Sequence, residues 1–169
     1  MLAAAVLAGP ADARTFTVDS PQDQGDQNTT DGICDTDNFG CTLRAAVKQA
    51  DAFVDDPSDT IVVPPGTYDV GNALAPTTNM QVVGASARTT VVNATGGDRV
   101  FNISAGRASP SVGISGVTLS NGVANANNGF FGGNLAISPL PRADAPLAVS
   151  HIWTYAGDGC FHSAPQHKS

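Results

Sequence analysis

The residues best suited to chemistry are acidic, and they fall into two sets. In the first, Asp31, Asp35, Asp37 and Asn38 lie close together, and D-x-D-N-x-G over Asp35 to Gly40 matches the opening of a calcium loop. Ca²⁺ takes roughly six to eight oxygen ligands. Here Phe39 stands at the fifth position and no acidic residue closes the loop at the twelfth. The segment reads as a solvated turn that at most holds Ca²⁺ weakly, and Ca²⁺ is the sole cofactor it suggests. In the second set, Asp69 and Asp98 are the carboxylates that could meet in space as a glycosidase pair. Between Asp59 and Gly133 only these two, Asp59, and the cations Arg88, Arg99 and Arg107 carry charge. That is too sparse for the converging carboxylates and base of a lyase. Nucleophile-elbow, zinc-protease and phosphate-loop patterns are missing. His151, His162 and His167, with Cys160, match neither metal-ligand nor Cys-His spacing. No catalytic residue and no confident metal ligand is assigned, so a binding protein is favoured over an enzyme.

The chain has 3 cysteines, an odd number that in an exported protein means one bridge and a remainder. Cys34 and Cys41 enclose the short loop Asp35 to Gly40 and are the expected disulfide; the rival, zinc, is disfavoured because C-x6-C without a second pair is not zinc spacing. Cys160 has no assigned role. The opening MLAAAVLAGPADA carries an apolar run and the small-x-small ending that a signal peptidase accepts, which makes residues 1–13 the remnant of a secretory leader. No stretch approaches the roughly 20 apolar residues of a membrane span. All 15 acidic residues are Asp. Twelve of them stand at or before Asp69, so that segment carries a charge of −9 against +2 for the remainder. An acidic front repels phosphate backbones, and with no basic stripe to offset it nucleic acid is excluded as a partner.

The elements that would carry these residues are short. TFTVD, residues 15–19, alternates like a strand, and SPQDQGDQNTTDG is a polar connector. Leu43, Ala46, Val47, Ala50 and Val54 recur at three- and four-residue steps, which predicts an amphipathic helix of about three turns with Thr42 as N-cap and Pro57 as its stop. From Asp59 onward, brief β-branched runs are divided by Gly, Asn and Pro. They fit either an antiparallel sandwich or a coil of parallel strands. Asn93, Asn102 and Asn121 each follow an apolar run, where a side-chain amide could bond the equivalent turn of a neighbouring strand, and this favours the parallel coil. Ile61, Val63, Val82, Val91, Phe101, Ile103, Ile114, Val117 and Leu119 are its expected core.

DGICDTDNFGCTLRAAVKQA followed by DTIVVPPGTYDV resembles the entry segment of bacterial exported proteins that carry a CSLREA-type motif ahead of right-handed parallel β-helix repeats of the pectate-lyase-like class. Cys34, Cys41, Leu43, Arg44, Ala46 and Val47 stand where that pattern has Cys, Cys, Leu, Arg, Ala and an aliphatic; Thr42 replaces Ser. Ala45 stands where the pattern has an acidic residue, so no role of that carboxylate is carried over. The resemblance spans residues 15–133, and GVTLSNGVANANNG is similar to one repeat of the same proteins. It implies an all-β fold, a short right-handed parallel β-helix with an N-terminal amphipathic capping helix.

The resulting organisation is a leader remnant at 1–13, a strand, disulfide loop and capping helix at 14–58, β-helix rungs at 59–133, and an irregular tail at 134–169 foreign to the rungs. The resemblance further implies a secreted or cell-surface protein, an adhesin-like module contacting polysaccharide or host-surface glycan. A polysaccharide lyase or glycoside hydrolase of the same fold, with Asp69 and Asp98 at its site, is the alternative. A truncated, non-functional gene product is the third reading.

Overall fold

The β-branched runs become strands of three to five residues wherever apolar side chains alternate. The computed structural model describes residues 12–53, 58–104, 110–124, 135–138, 153–156 and 159–161. The strands are β1 (Thr15–Thr17), β2 (Asp59–Val63), β3 (Gly66–Val70), β4 (Met80–Gly84), β5 (Thr90–Ala94), β6 (Phe101–Ser104), β7 (Val112–Ser115), β8 (Thr118–Ser120), β9 (Leu135–Ser138), β10 (Trp153–Ala156) and β11 (Gly159–Phe161). Among the described residues there is one helix, α1 (Leu43–Asp51), between β1 and β2.

The strands pair side by side in three sheets. The first is four-stranded in the order β1-β2-β4-β7, the second five-stranded in the order β11-β10-β8-β5-β3, and the third contains β6 and β9. Every pairing is parallel except β10 with β11, which is antiparallel. Parallel strands need covered faces, and the inner faces are strongly apolar. Ile61, Val63, Met80, Val82, Phe101, Ile114 and Leu119 are buried in one cluster with Phe16, Val18 and the helix residues Leu43, Ala46, Val47 and Ala50.

This architecture corrects the expected all-β right-handed parallel β-helix with a capping helix. The described strands are short and divided among sheets of four, five and two members, the five-stranded sheet ends in an antiparallel pair, and α1 adds its apolar face to the common core. Among the described residues the fold is one of parallel sheets with a single helix. Turn chemistry signals the direction of each short strand, but which strands become neighbours depends on contacts between residues distant in sequence. Strands β9, β10 and β11 also form in the stretch expected to be irregular.

One core residue is likewise corrected. β5 buries Thr90, Val92 and Ala94 and turns Val91 outward. Its register sets Val92 beside Tyr68 and Ala94 beside Val70, both buried on β3. Two adjacent valines are chemically equal, so only the register chooses between them.

The helix begins where its capping side chain predicts. Thr42 has an extended backbone, and its hydroxyl accepts the Ala45 N–H at 3.0 Å while donating to the Gln24 carbonyl. The helix ends at Asp51, before Val54 and Pro57, which lie outside the described residues. Asp51 Oδ1 then accepts the backbone N–H groups of Thr77 at 2.7 Å and Thr78 at 3.0 Å, tying the helix end to the entry of β4. Thr42→Ala removes the cap and should cost about 1–2 kcal/mol in urea unfolding. Thr42→Ser, which keeps the hydroxyl, should restore most of it.

Candidate ligand-contact face

β3, β5 and β8 place polar residues in line on their outward face. Alternation turns Tyr68, Val92 and Leu119 inward and leaves Thr67, Asp69, Asn93, Thr118 and Ser120 on the other side. The register sets Asp69 beside Asn93 and Asn93 beside Ser120. Neighbouring strands lie roughly 4.8 Å apart, within reach of a side-chain hydrogen bond. Asn93 Nδ2 donates to Asp69 Oδ1 at 2.7 Å. Asn93 Oδ1 accepts from Ser120 Oγ at 3.1 Å and from Asn121 Nδ2 at 2.6 Å. Asn121 reaches it from a left-handed backbone, φ 56°, a conformation asparagine tolerates better than most residues.

The carboxylate determines which way this ladder runs. An ionised Asp accepts only, so the Asn93 amide must turn its NH₂ toward Asp69 and its carbonyl toward β8, and Ser120 and Asn121 must then donate. On the inner side of the same strand, Tyr68 donates its hydroxyl to the Pro64 carbonyl at 3.0 Å, and burial pushes its phenol above the ordinary value of 10.0.

At the β3 end of the ladder lies a groove of about 390 Å³, lined by Pro21, Gln22, Asp23, Thr67, Asp69, Gly71 and Thr95. Its far wall is held by Arg44. The guanidinium Nε donates to Asp23 Oδ1 at 2.6 Å and Nη2 to Asp23 Oδ2 at 3.1 Å, while Nη2 also reaches the Asn72 carbonyl at 2.6 Å. Asp23 Oδ2 accepts the Gly71 N–H at 2.7 Å. The planar guanidinium grips both carboxylate oxygens through two N–H groups and still reaches a carbonyl, a fixed two-point geometry that a lysine ammonium lacks. Arg44 belongs to the motif singled out in the sequence; its partner Asp23, in a polar connector, carried no signal there.

The other anticipated site residues lie elsewhere. Asp98 accepts the backbone N–H groups of Ala73 at 3.2 Å and Arg99 at 2.7 Å, one on each oxygen, and does not line the groove that Asp69 lines. In the acidic segment, Asp31 accepts from Ile33 N at 2.9 Å and Asn28 Nδ2 at 3.1 Å, Asp35 from Thr36 N at 2.7 Å, and Asp37 from Gln27 Nε2. Asp31 and Asp35 close local turns, and Asp37 ties the segment to the preceding connector. Among the described residues, no three His, Cys, Asp or Glu side chains gather as a metal-binding set. Cys34 and Cys41 are joined in a disulfide with their Cα atoms 5.1 Å apart. His151, His162 and His167 lie outside the described residues, as does residue 1–11 of the leader segment; Cys160 is on β11. No described helix is long and apolar enough to cross a membrane.

Comparison of the chain with protein-family models, with curated proteins and with solved structures finds no match. The functional reading therefore rests on the chemistry of this face.

Proposed function

We propose that the chain is an exported protein, secreted or retained at the cell surface, that binds glycans along the outward face of β3, β5 and β8. The observation that carries this reading is the polar ladder Asp69–Asn93–Ser120 opening onto a groove of about 390 Å³. Saccharides present hydroxyl groups on both sides of an extended backbone, and fixed side-chain carboxylate, amide and hydroxyl groups in a row are suited to meet them. The Cys34–Cys41 bridge supports export, since disulfides persist in oxidising compartments. The resemblance of residues 31–70 to exported proteins points the same way.

Binding is preferred over hydrolysis or elimination for a physical reason. Glycosidic cleavage with two carboxylates needs both at the sugar, and Asp98 spends both oxygens on backbone N–H groups. Affinity electrophoresis of the full chain through gels containing soluble polysaccharides tests the proposal. Retardation by at least one polysaccharide, reduced by Asn93→Leu, is expected; migration unaffected by every polysaccharide would overturn it. Release of reducing ends or unsaturated product by the same chain would favour the enzyme reading instead.

A further inference from the structure

We infer that this face selects saccharides bearing free amino groups, of the glucosamine type, over polyuronates. The inference rests on the glycan-binding reading above and deepens it. Its basis is the polarity of the ladder. Asp69 takes a hydrogen of the Asn93 NH₂, and the Asn93 carbonyl takes donors from Ser120 and Asn121, so each of these three side chains directs a donor into the protein. Thr95 likewise directs its hydroxyl hydrogen to the Val70 carbonyl at 3.3 Å. What the ladder leaves at the groove is an acceptor: among the described residues, Asp69 Oδ2 receives no hydrogen bond, and Asp69 is exposed.

Charge points the same way. Among the described residues, the groove lining contains two carboxylates, Asp23 and Asp69, and no cationic side chain. The nearest guanidinium, that of Arg44, is engaged by Asp23 and by the carbonyls of Asn72 and Ala73. A uronate carboxylate entering here would meet the Asp69 carboxylate with no cationic side chain in the described lining to offset the repulsion. An ammonium group on the sugar ring would supply the donors and the charge that Asp69 Oδ2 lacks.

Titration calorimetry of the full chain with a β-1,4-linked glucosamine hexasaccharide, its fully N-acetylated counterpart, and oligogalacturonate with and without Ca²⁺ tests this. The amino hexasaccharide should bind about fivefold tighter than the N-acetylated one, the scale of one exposed ion pair, and the preference should shrink as salt rises. Asp69→Asn should abolish the preference between the amino and the N-acetylated hexasaccharide. Thr67→Lys, at an exposed groove position, should shift preference toward oligogalacturonate. Equal or tighter binding of oligogalacturonate by the unmodified chain, with or without Ca²⁺, overturns the inference while leaving glycan binding intact. So does an amino preference that survives Asp69→Asn. Absence of heat with all the saccharides overturns both.

Discussion

Gly84→Ala should lower the free energy of unfolding by about 2–3 kcal/mol, although it adds a single methyl group. Gly84 closes β4 and Gly116 lies in the turn between β7 and β8, and the two backbones stack against each other. A Cβ on Gly84 would fall on the Gly116 carbonyl oxygen, and a Cβ on Gly116 on the carbonyl oxygen of Gly84. The obstacle in each case is backbone, so a rotamer change cannot relieve it; neighbouring strands must separate instead. Gly116 also has φ 65°, which adds the cost of a left-handed backbone with a side chain, roughly 1–2 kcal/mol.

These two contributions can be measured apart. Gly32 has φ 77° with open space around its Cβ direction, so Gly32→Ala reports the conformational cost without the overlap. In urea titrations the expected order of destabilisation is Gly32→Ala, then Gly84→Ala, then Gly116→Ala. The double replacement of Gly84 and Gly116 should cost less than the sum, because the separation that admits one methyl also admits the other. A Gly84→Ala midpoint indistinguishable from the parent would mean that β4 and the β7–β8 turn do not approach this closely.

Replacing both Cys34 and Cys41 with Ser should cost about 2.5 kcal/mol by the loop-entropy estimate for so short a ring. The bridge closes a turn that is also held by backbone bonds, Thr36 N–H to the Gly40 carbonyl at 3.1 Å and Asp19 N–H to the Cys41 carbonyl at 3.0 Å. Asp19 Oδ1 accepts the Cys41 N–H at 2.8 Å. Because Cys41 directly precedes the N-cap Thr42, loosening the ring should be felt first at the start of α1. Amide exchange should therefore accelerate at Cys41 and Ala45 well before it does in β2 or β4. The doubly substituted chain and the reduced parent should behave alike. Uniform acceleration across β4 and β7 would instead make the bridge a condition of the whole fold.

Several features are legible from composition and spacing alone because their causes are local. A threonine hydroxyl reaching the amide three residues on caps α1, and two cysteines in one short loop can close a ring without information from elsewhere. The β-branched runs mark strands, and an asparagine after Val91 and Val92 anticipates a cross-strand bond, which Asn93 makes with Asn121. The alignment of TYDV, VVNA and TLSN even contains the ladder, since Asp69, Asn93 and Ser120 hold one position in each.

Other features depend on residues far apart in the chain meeting in one register. Burial of Val92 in place of Val91 follows from pairing with Tyr68, and the Arg44 fork from the return of Asp23 beside β3. Asp69 and Asp98, alike as isolated acids, part company because one faces a groove and the other accepts two backbone amides. The division into sheets of four, five and two strands, in place of a uniform coil, has the same origin. Side-chain type limits what a residue can donate or accept; long-range pairing decides which partner stands opposite, and so which acceptor is left for a ligand.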